Sequence, residues 1–173
     1  MKASVFVGTS LDGFIARADG AFDFLPSGGG EPHGYDEFMA TVDALVIGRK
    51  TYETVLGLGA WPYGAKPTFV LSTRPLAPAP VGAKVERMSC SPVEVVSRLT
   101  DRGIQHAYVD GGITIQQFLQ ARLIQRLTIT RVPVLIGTGI PLFGALPHDI
   151  TLRHIATHQY AGGLVKSEYE IIL

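Results

Sequence analysis

Cysteine is nearly absent from this chain. Cys90 stands alone among 173 residues, which excludes an internal disulfide and any cysteine-built metal cluster and suits a reducing compartment. Neither sign of charge prevails, because fifteen basic residues balance fifteen acidic ones. A neutral chain has no overall field to draw in nucleic acid or an anionic membrane, so any anion site must be local. No apolar run reaches the roughly 18 residues needed to span a bilayer. The N-terminus runs into a strand-like segment without the apolar stretch of a signal peptide, so the expected setting is the cytoplasm. Neither a G-x-G-x-x-G nor a Walker pattern occurs, which argues against a standard Rossmann or P-loop nucleotide site. Internal repeats and low-complexity tracts are missing too.

What is present is an ordinary globular composition, 46% hydrophobic and 17% charged, long enough for one domain with a sizeable core. Residues 3–8 read as a buried first strand. A long stretch from position 12 to 32 follows, with Gly13, Gly20 and the triplet Gly28-Gly29-Gly30; loops of this length in a compact domain are usually functional or mobile. Tyr35, Phe38, Met39 and Val42 recur at helical spacing and predict a core-facing stripe. A strand over 44–47 leads through Gly48 into a helix over 49–56, and Thr68–Leu71 reads as another strand. Ser91, Pro92 and Glu94 together spell a capped helix start, with Val95, Val96 and Leu99 as its apolar face and Gly103 as its stop. A strand over 107–109, a helix over about 114–122, a strand over 127–136 and a C-terminal antiparallel hairpin turning at 161–163 complete the pattern. The expectation is a single α/β domain over residues 1–173, with a mostly parallel mixed sheet flanked by helices.

Three strand ends are suited to phosphate. Gly48-Arg49-Lys50-Thr51 joins a strand to a helix whose first N–H groups and positive dipole end face outward. Ser72-Thr73-Arg74 offers two hydroxyls and a guanidinium that can fork onto two phosphate oxygens. At Asp110-Gly111-Gly112-Ile113-Thr114 the glycines let backbone approach a pyrophosphate. Each is weak alone, since plain turns and helix starts use the same residues. Together they match a dinucleotide carrying an extra phosphate, bound outside the carboxyl ends of the strands. The five histidines give no metal site: His154 and His158 on a strand are separated by about 13 Å of rise, and His33, His106 and His148 have no ligand spacing.

Ser10-Leu11-Asp12-Gly13-Phe14-Ile15-Ala16, Gly48-Arg49-Lys50-Thr51-Tyr52-Glu53, Asp110-Gly111-Gly112 and the run from Val132-Pro133 through Gly137, Gly139 and Ile140-Pro141-Leu142-Phe143 resemble the dihydrofolate reductase-like superfamily. The similar branch is that of the C-terminal reductase domain of the bifunctional riboflavin-biosynthesis deaminase-reductase, and the resemblance runs in order over essentially the whole chain. It implies a dihydrofolate reductase-like fold, NADPH as cofactor, and hydride transfer to a small heterocycle such as a ribosylamino-pyrimidine or pteridine. By position it implies that Gly48, Arg49, Lys50, Thr51, Ser72, Thr73 and Arg74 hold the adenosine phosphates. Gly111, Gly112, Ile113, Thr114 and Ile115 would hold the pyrophosphate, and Val7, Gly8, Ile15 and Ala16 would lie against the nicotinamide and its ribose. Tyr35, Phe38 and Thr130 would border the substrate. Asp12 is the expected substrate-binding or proton-handling residue, with Asp36 as a second candidate. A homodimer is implied as well.

The chain also departs from the pattern. Folate reductases carry an acid four residues before the first-helix aromatic, where Gly34 stands here. They carry an arginine before the 68–71 strand, where Tyr63-Gly64-Ala65-Lys66 has none. Folate is therefore disfavoured. Gln125-Arg126 stands where the riboflavin branch often has an Asp-Glu pair. A binding protein that keeps the fold but has lost turnover is the alternative reading.

Overall fold

The computed structural model describes residues 1–26 and 33–172; the Gly28-Gly29-Gly30 triplet lies outside the described residues. Among the described residues, ten strands and four helices follow the order β1 (Lys2–Ser10), β2 (Phe14–Ala16), α1 (Tyr35–Ala40), β3 (Ala44–Gly48), α2 (Arg49–Leu56), β4 (Thr68–Leu71), β5 (Val85–Met88), α3 (Pro92–Asp101), β6 (His106–Asp110), α4 (Gly112–Gln120), β7 (Arg126–Val132), β8 (Ile140–Pro141), β9 (Leu152–Gln159) and β10 (Val165–Ile171). Eight strands form one sheet in the order β5-β4-β3-β6-β1-β7-β10-β9, and β2 pairs with β8 in a small second sheet. All neighbours in the large sheet run parallel except β10, which is antiparallel to both β7 and β9. This is an α/β fold with a mostly parallel mixed sheet and a C-terminal antiparallel pair, as the alternation of the sequence predicts. No helix among the described residues is long and apolar enough to cross a membrane, and no group of three or more His, Cys, Asp or Glu among them could hold a metal ion.

Period-two patterning sends the central strands' side chains to two cores. Val5, Val46, Val109 and Leu127 pack under α3 and α4 with Val95, Leu99, Ile115 and Phe118. Leu45, Ile47, Val70 and Tyr108 pack on the opposite face with Tyr52 and Val55 of α2. Helix α3 starts as its sequence dictates: Ser91 Oγ accepts from the Glu94 N–H, and Glu94 reaches back to the Ser91 N–H at 2.9 Å.

Four local expectations change. The 127–136 strand stops at Val132, because Pro133 has no N–H to continue the ladder; Val134 turns instead, donating to Val132 O at 2.8 Å while its own carbonyl accepts from Leu11. The stripe on α1 meets the core only in part: Phe38 and Met39 pack half-buried against the core on the α2 face, and Tyr35 is exposed. Among its expected members only Val42, beyond the helix end, is fully buried, and Phe38 stacks on Phe6 of β1 at a centroid distance of 5.0 Å. Helix α4 begins at Gly112, two residues earlier than its apolar periodicity suggests. Strand β5 is invisible to hydrophobic patterning, since Glu86 and Arg87 are exposed on an edge and only Met88 is buried.

Candidate active site

The sheet order sets β4, β3 and β6 side by side, so their carboxyl ends are neighbours: Gly48 pairs with Leu71, and Ile47 with Asp110. The three phosphate-suited turns therefore converge. A Cβ on Gly111 would lie 2.5 Å from Thr51 Oγ1, and one on Gly48 would lie 2.9 Å from Thr114 Oγ1. Gly111 also holds φ at 97° and ψ at 133°, which L side chains rarely adopt. Helices α2 and α4 start here with no side-chain cap, at Gly48 and Gly111. Their first-turn N–H groups are donors in want of an acceptor, unlike those of the fully capped α3.

Next to these starts is a surface cavity of ≈380 Å³ lined by Arg49, Ser72, Thr73, Arg74, Cys90 and Gln117 among others. Arg49 is steadied by Glu53 one turn on, 2.5 Å away. Ser72 Oγ accepts from the Arg74 N–H and donates to the Arg74 carbonyl, which fixes the turn that presents Arg74. Lys50 is exposed and does not line this cavity. A cavity of ≈170 Å³ at the amino ends of β4 and β5, between Pro67–Phe69 and Lys84–Glu86, brings no comparable set of donors together.

The resemblance places a ring near β1, and there the sheet opens. Pairing between β1 and β6 ends at Ser4 and Tyr108, although β1 pairs with β7 as far as Ser10 and β6 pairs with β3 as far as Asp110. The parting of two neighbouring strands at their carboxyl ends makes the crevice in which open α/β sheets bind ligands. Ile15 and Ile140 close one side, each with a carbon 3.1 Å from the Cβ that Gly112 lacks. Gly139 lets β8 approach β2, since a Cβ there would meet Ala16 O at 2.3 Å. Val7 and Ile115 point into the core instead, and the Ile115 N–H is spent on Gly111 O. Among the residues implied for the cofactor, Ile115 thus packs the helix rather than facing a ligand, while Ile113 is exposed on the same turn.

On the α1 side of the crevice, β1 presents Phe6 and Gly8, β7 presents Thr128 and Thr130, and β10 presents Glu168 and Lys166; register pairs Gly8 with Thr130 and Thr130 with Lys166. Leu25 rests over Gly8, with Cδ2 2.9 Å from where a Cβ would stand. Thr130 is 8% exposed, and its hydroxyl finds no hydrogen-bond partner among the described residues.

Asp110 is the acid that sequence reasoning passed over. As part of the phosphate-suited 110–114 segment it has no role of its own in the sequence reading, but on β6 it follows His106 and Tyr108 by the period of two and shares their face. Desolvation pushes its carboxyl above the usual range, against the lowering effect of the Gly111 N–H at 2.8 Å. Three phenols surround it. Burial, with the charge of Asp110 in second place, raises Tyr35 to about 12 and also raises Tyr63 and Tyr108. The signal was there in the sequence, as a carboxylate closing an apolar strand one residue before a glycine pair.

The two acids expected to handle protons sit elsewhere. Asp12 is exposed, and its carboxylate accepts from the N–H of Gly137 at 2.8 Å and of Ile136 at 3.3 Å. A hydrogen bond from Ser10, first, and these amides hold it below its ordinary value. It is an ionised anchor for the loop after β7, a poor proton reservoir. Asp36 is exposed on the first turn of α1 and reaches the cleft only as a charge felt by Tyr35.

Comparison with known proteins places this geometry. Residues 2–166 match the model of the RibD C-terminal domain. The Bacillus subtilis (strain 168) protein YwjB, itself uncharacterized, is 33% identical over 171 residues and is covered over 97% of both chains. A crystal structure from Shewanella sp. PV-4, of a protein provisionally assigned to riboflavin biosynthesis, superposes with a TM-score of 0.88 at 35% identity over the full length of both chains. Dihydrofolate reductase from Enterococcus faecalis, solved with NADP(H), shares the fold at a TM-score of 0.69 and 17% identity, covering 98% of this chain and 96% of its own. With a family match over nearly its whole length and two end-to-end relatives above 30% identity, the chain belongs to the RibD C-terminal domain family.

Proposed function

We propose that this protein is an NADPH-dependent reductase that reduces a C=O or C=N bond of a small heterocycle held between the β1–β6 crevice and α1. Membership of the RibD C-terminal domain family supports an oxidoreductase. The cofactor assignment rests on one observation above the others: two uncapped helix starts and the Arg49–Arg74 cavity converge on the same strand ends. The donor set fits a dinucleotide with a third phosphate. Uncapped N–H groups of α2 and α4 suit a pyrophosphate, Gly111 and Gly112 let it approach, and Arg49, Ser72, Thr73 and Arg74 suit a phosphate monoester. NADPH, when bound, supplies the hydride.

The chain supplies the rest. Phe6, Tyr35 and Phe38 give a flat ring an aromatic wall. Ile15, Ile140 and Leu25 keep water from the crevice. Asp110 stands where the strands part, with burial shifting its carboxyl toward the neutral form; it is the group to supply the proton that must reach the substrate heteroatom as the hydride reaches carbon. Reduction then requires protonated Asp110, so the rate falls as pH rises through its elevated pKa.

Isothermal titration with NADPH and NADH tests the reading. Each good guanidinium–phosphate bond is worth about 1.5–3 kcal/mol, so Arg49→Ala and Arg74→Ala should each weaken NADPH by about tenfold to a hundredfold and leave NADH nearly unchanged. Equal affinity of the native protein for both cofactors would refute the phosphate assignment. Asp110→Asn should keep NADPH affinity and lose NADPH oxidation with any heterocycle the native protein turns over. Absence of turnover across a broad pteridine and pyrimidine panel would favour a binding protein on this fold.

A further inference from the structure

We propose that Lys166 sets the substrate specificity of this cleft, making it a receptor for a carbonyl-rich or anionic ring edge and hostile to amidine-like, cationic ones. The inference rests on the cleft assignment just made, but not on the identity of the cofactor. Lys166 is 8% exposed, and a lysine this enclosed needs a use for its donors. Its Nζ donates to His33 O at 3.0 Å; Glu168 Oε1 is 3.7 Å away, close enough for an ion pair and too far for a hydrogen bond. At least one N–H therefore has no acceptor among the described residues.

The neighbours of Lys166 make the same demand. Thr130, its register partner across β7 and β10, carries a buried hydroxyl without a partner. Natural proteins rarely leave such a group unsatisfied unless something else arrives to satisfy it. Across the cleft Gly34 contributes no side chain, and the Cβ it lacks would stand 3.0 Å from Lys166 Nζ. The ammonium thus lies against the side of Gly34 on which a side chain would stand. An ammonium offers donors only, and a threonine hydroxyl can offer one. A ring edge that presents acceptors satisfies both, whereas a ring edge of NH₂ groups or a protonated amidine leaves the ammonium without an acceptor and meets a like charge.

Barbiturate and 2,4-diaminopyrimidine are size-matched six-membered probes with opposite edges, an anion lined with carbonyls against a cation lined with amines. Calorimetry on the cofactor-free and the NADPH-loaded protein should show barbiturate binding and diaminopyrimidine excluded. Lys166→Met should weaken barbiturate at least tenfold with the NADPH isotherm unchanged. Gly34→Asp, which sets a carboxylate beside the ammonium at a left-handed position that aspartate tolerates, should abolish barbiturate binding and admit diaminopyrimidine. If Lys166→Met does not fold, Gly34→Asp and Thr130→Val carry the test. Native protein that binds diaminopyrimidine as well as barbiturate, or no barbiturate at all, overturns the proposal, as does undiminished barbiturate binding by the folded lysine variant. Loss of the NADPH isotherm in the native protein would instead sink the cofactor reading, and the titrations of cofactor-free protein would still judge the cleft.

Discussion

Replacing Gly111 with alanine probes the joint on which the convergence of the two phosphate turns depends. Two costs follow from the geometry. The φ of 97° and ψ of 133° lie where only glycine is at ease, and a residue held there costs about 1–3 kcal/mol. The new Cβ would also stand 2.5 Å from Thr51 Oγ1, with Thr51 Cβ at 3.5 Å and Gly48 N at 3.7 Å. Overpacking a tight site of this kind adds roughly 1–3 kcal/mol. The sum, about 2–6 kcal/mol, corresponds to a fall in Tm of about 4–24 °C at about 2–4 °C per kcal/mol for a chain of this size. The second cost is removable: Thr51→Ala deletes the Oγ1 and leaves carbon at an ordinary contact distance. Urea denaturation of the native protein, Gly111→Ala, Thr51→Ala and the double variant completes a mutant cycle. The double variant should recover about 1 kcal/mol or more relative to additivity. If Gly111→Ala costs less than about 1 kcal/mol, or if the two substitutions simply add, the contact between the 48–51 and 110–114 turns is not what the structure describes.

Two further outcomes follow from groups away from the cofactor turns. His106 contacts Thr41 through Nδ1 and Ser4 Oγ through Nε2, at 2.9 and 2.8 Å, and burial lowers it from 6.5. The native state therefore prefers the neutral ring, so the contribution of His106 is complete above about pH 6.5 and is lost as pH falls from there through its folded value. Urea stability should drop more steeply on acidification in the native protein than in His106→Gln; parallel slopes would contradict this. Asp12→Ala should free the Ile136 and Gly137 amides and speed thermolysin cleavage within 133–139, and an unchanged cleavage rate would show that the loop is held by something else.

The fold was legible wherever local chemistry and tertiary packing agree. Helix α2 is bounded by glycines on both sides, and α3 carries its own capping box, so both starts could be read from sequence. The tail hairpin shows its turn at Gly162-Gly163 and strands on either side. What failed to show has physical causes. Strand β5 is held on the sheet edge by backbone pairing to β4, so its side chains need not be apolar and leave no periodic trace. Strand β7 was drawn too long because Val134, Leu135 and Ile136 look like strand residues; Leu135 is in fact 69% exposed. The stripe on α1 has a core helix's spacing, yet Tyr35 is exposed while Phe38 and Met39 pack half-buried on the core, and no count of apolar residues separates those degrees of burial.

At the site the division falls along backbone and side chain. Turns suited to binding through backbone are glycine-rich and lie at strand ends, so Gly48, Gly111 and Gly112 stand out as candidates in one dimension, and parallel pairing of β3, β4 and β6 brings them together. Side-chain chemistry gives no such sign. Asp12 looked catalytic because Asp-Gly after a strand is a common site motif, but its meaning depends on what stands 125 positions away at Gly137. Asp110 looked like turn punctuation because its significance comes from Tyr35 and Tyr63 on other segments and from the end of pairing between β1 and β6. Lys166 carries no mark of its own on an alternating strand; register sets it beside Thr130 and chain path sets it beneath Gly34. Each is a non-local fact: the desolvation that raises one carboxyl and the amides that hold another ionised are properties of the assembled fold. If that account holds, exchanging the two acids' fates should fail in one direction only. Asp12→Asn keeps one acceptor oxygen, enough for one of the two loop amides, and should retain turnover, whereas Asp110→Asn keeps the shape of the cleft and removes its ionisable carboxyl.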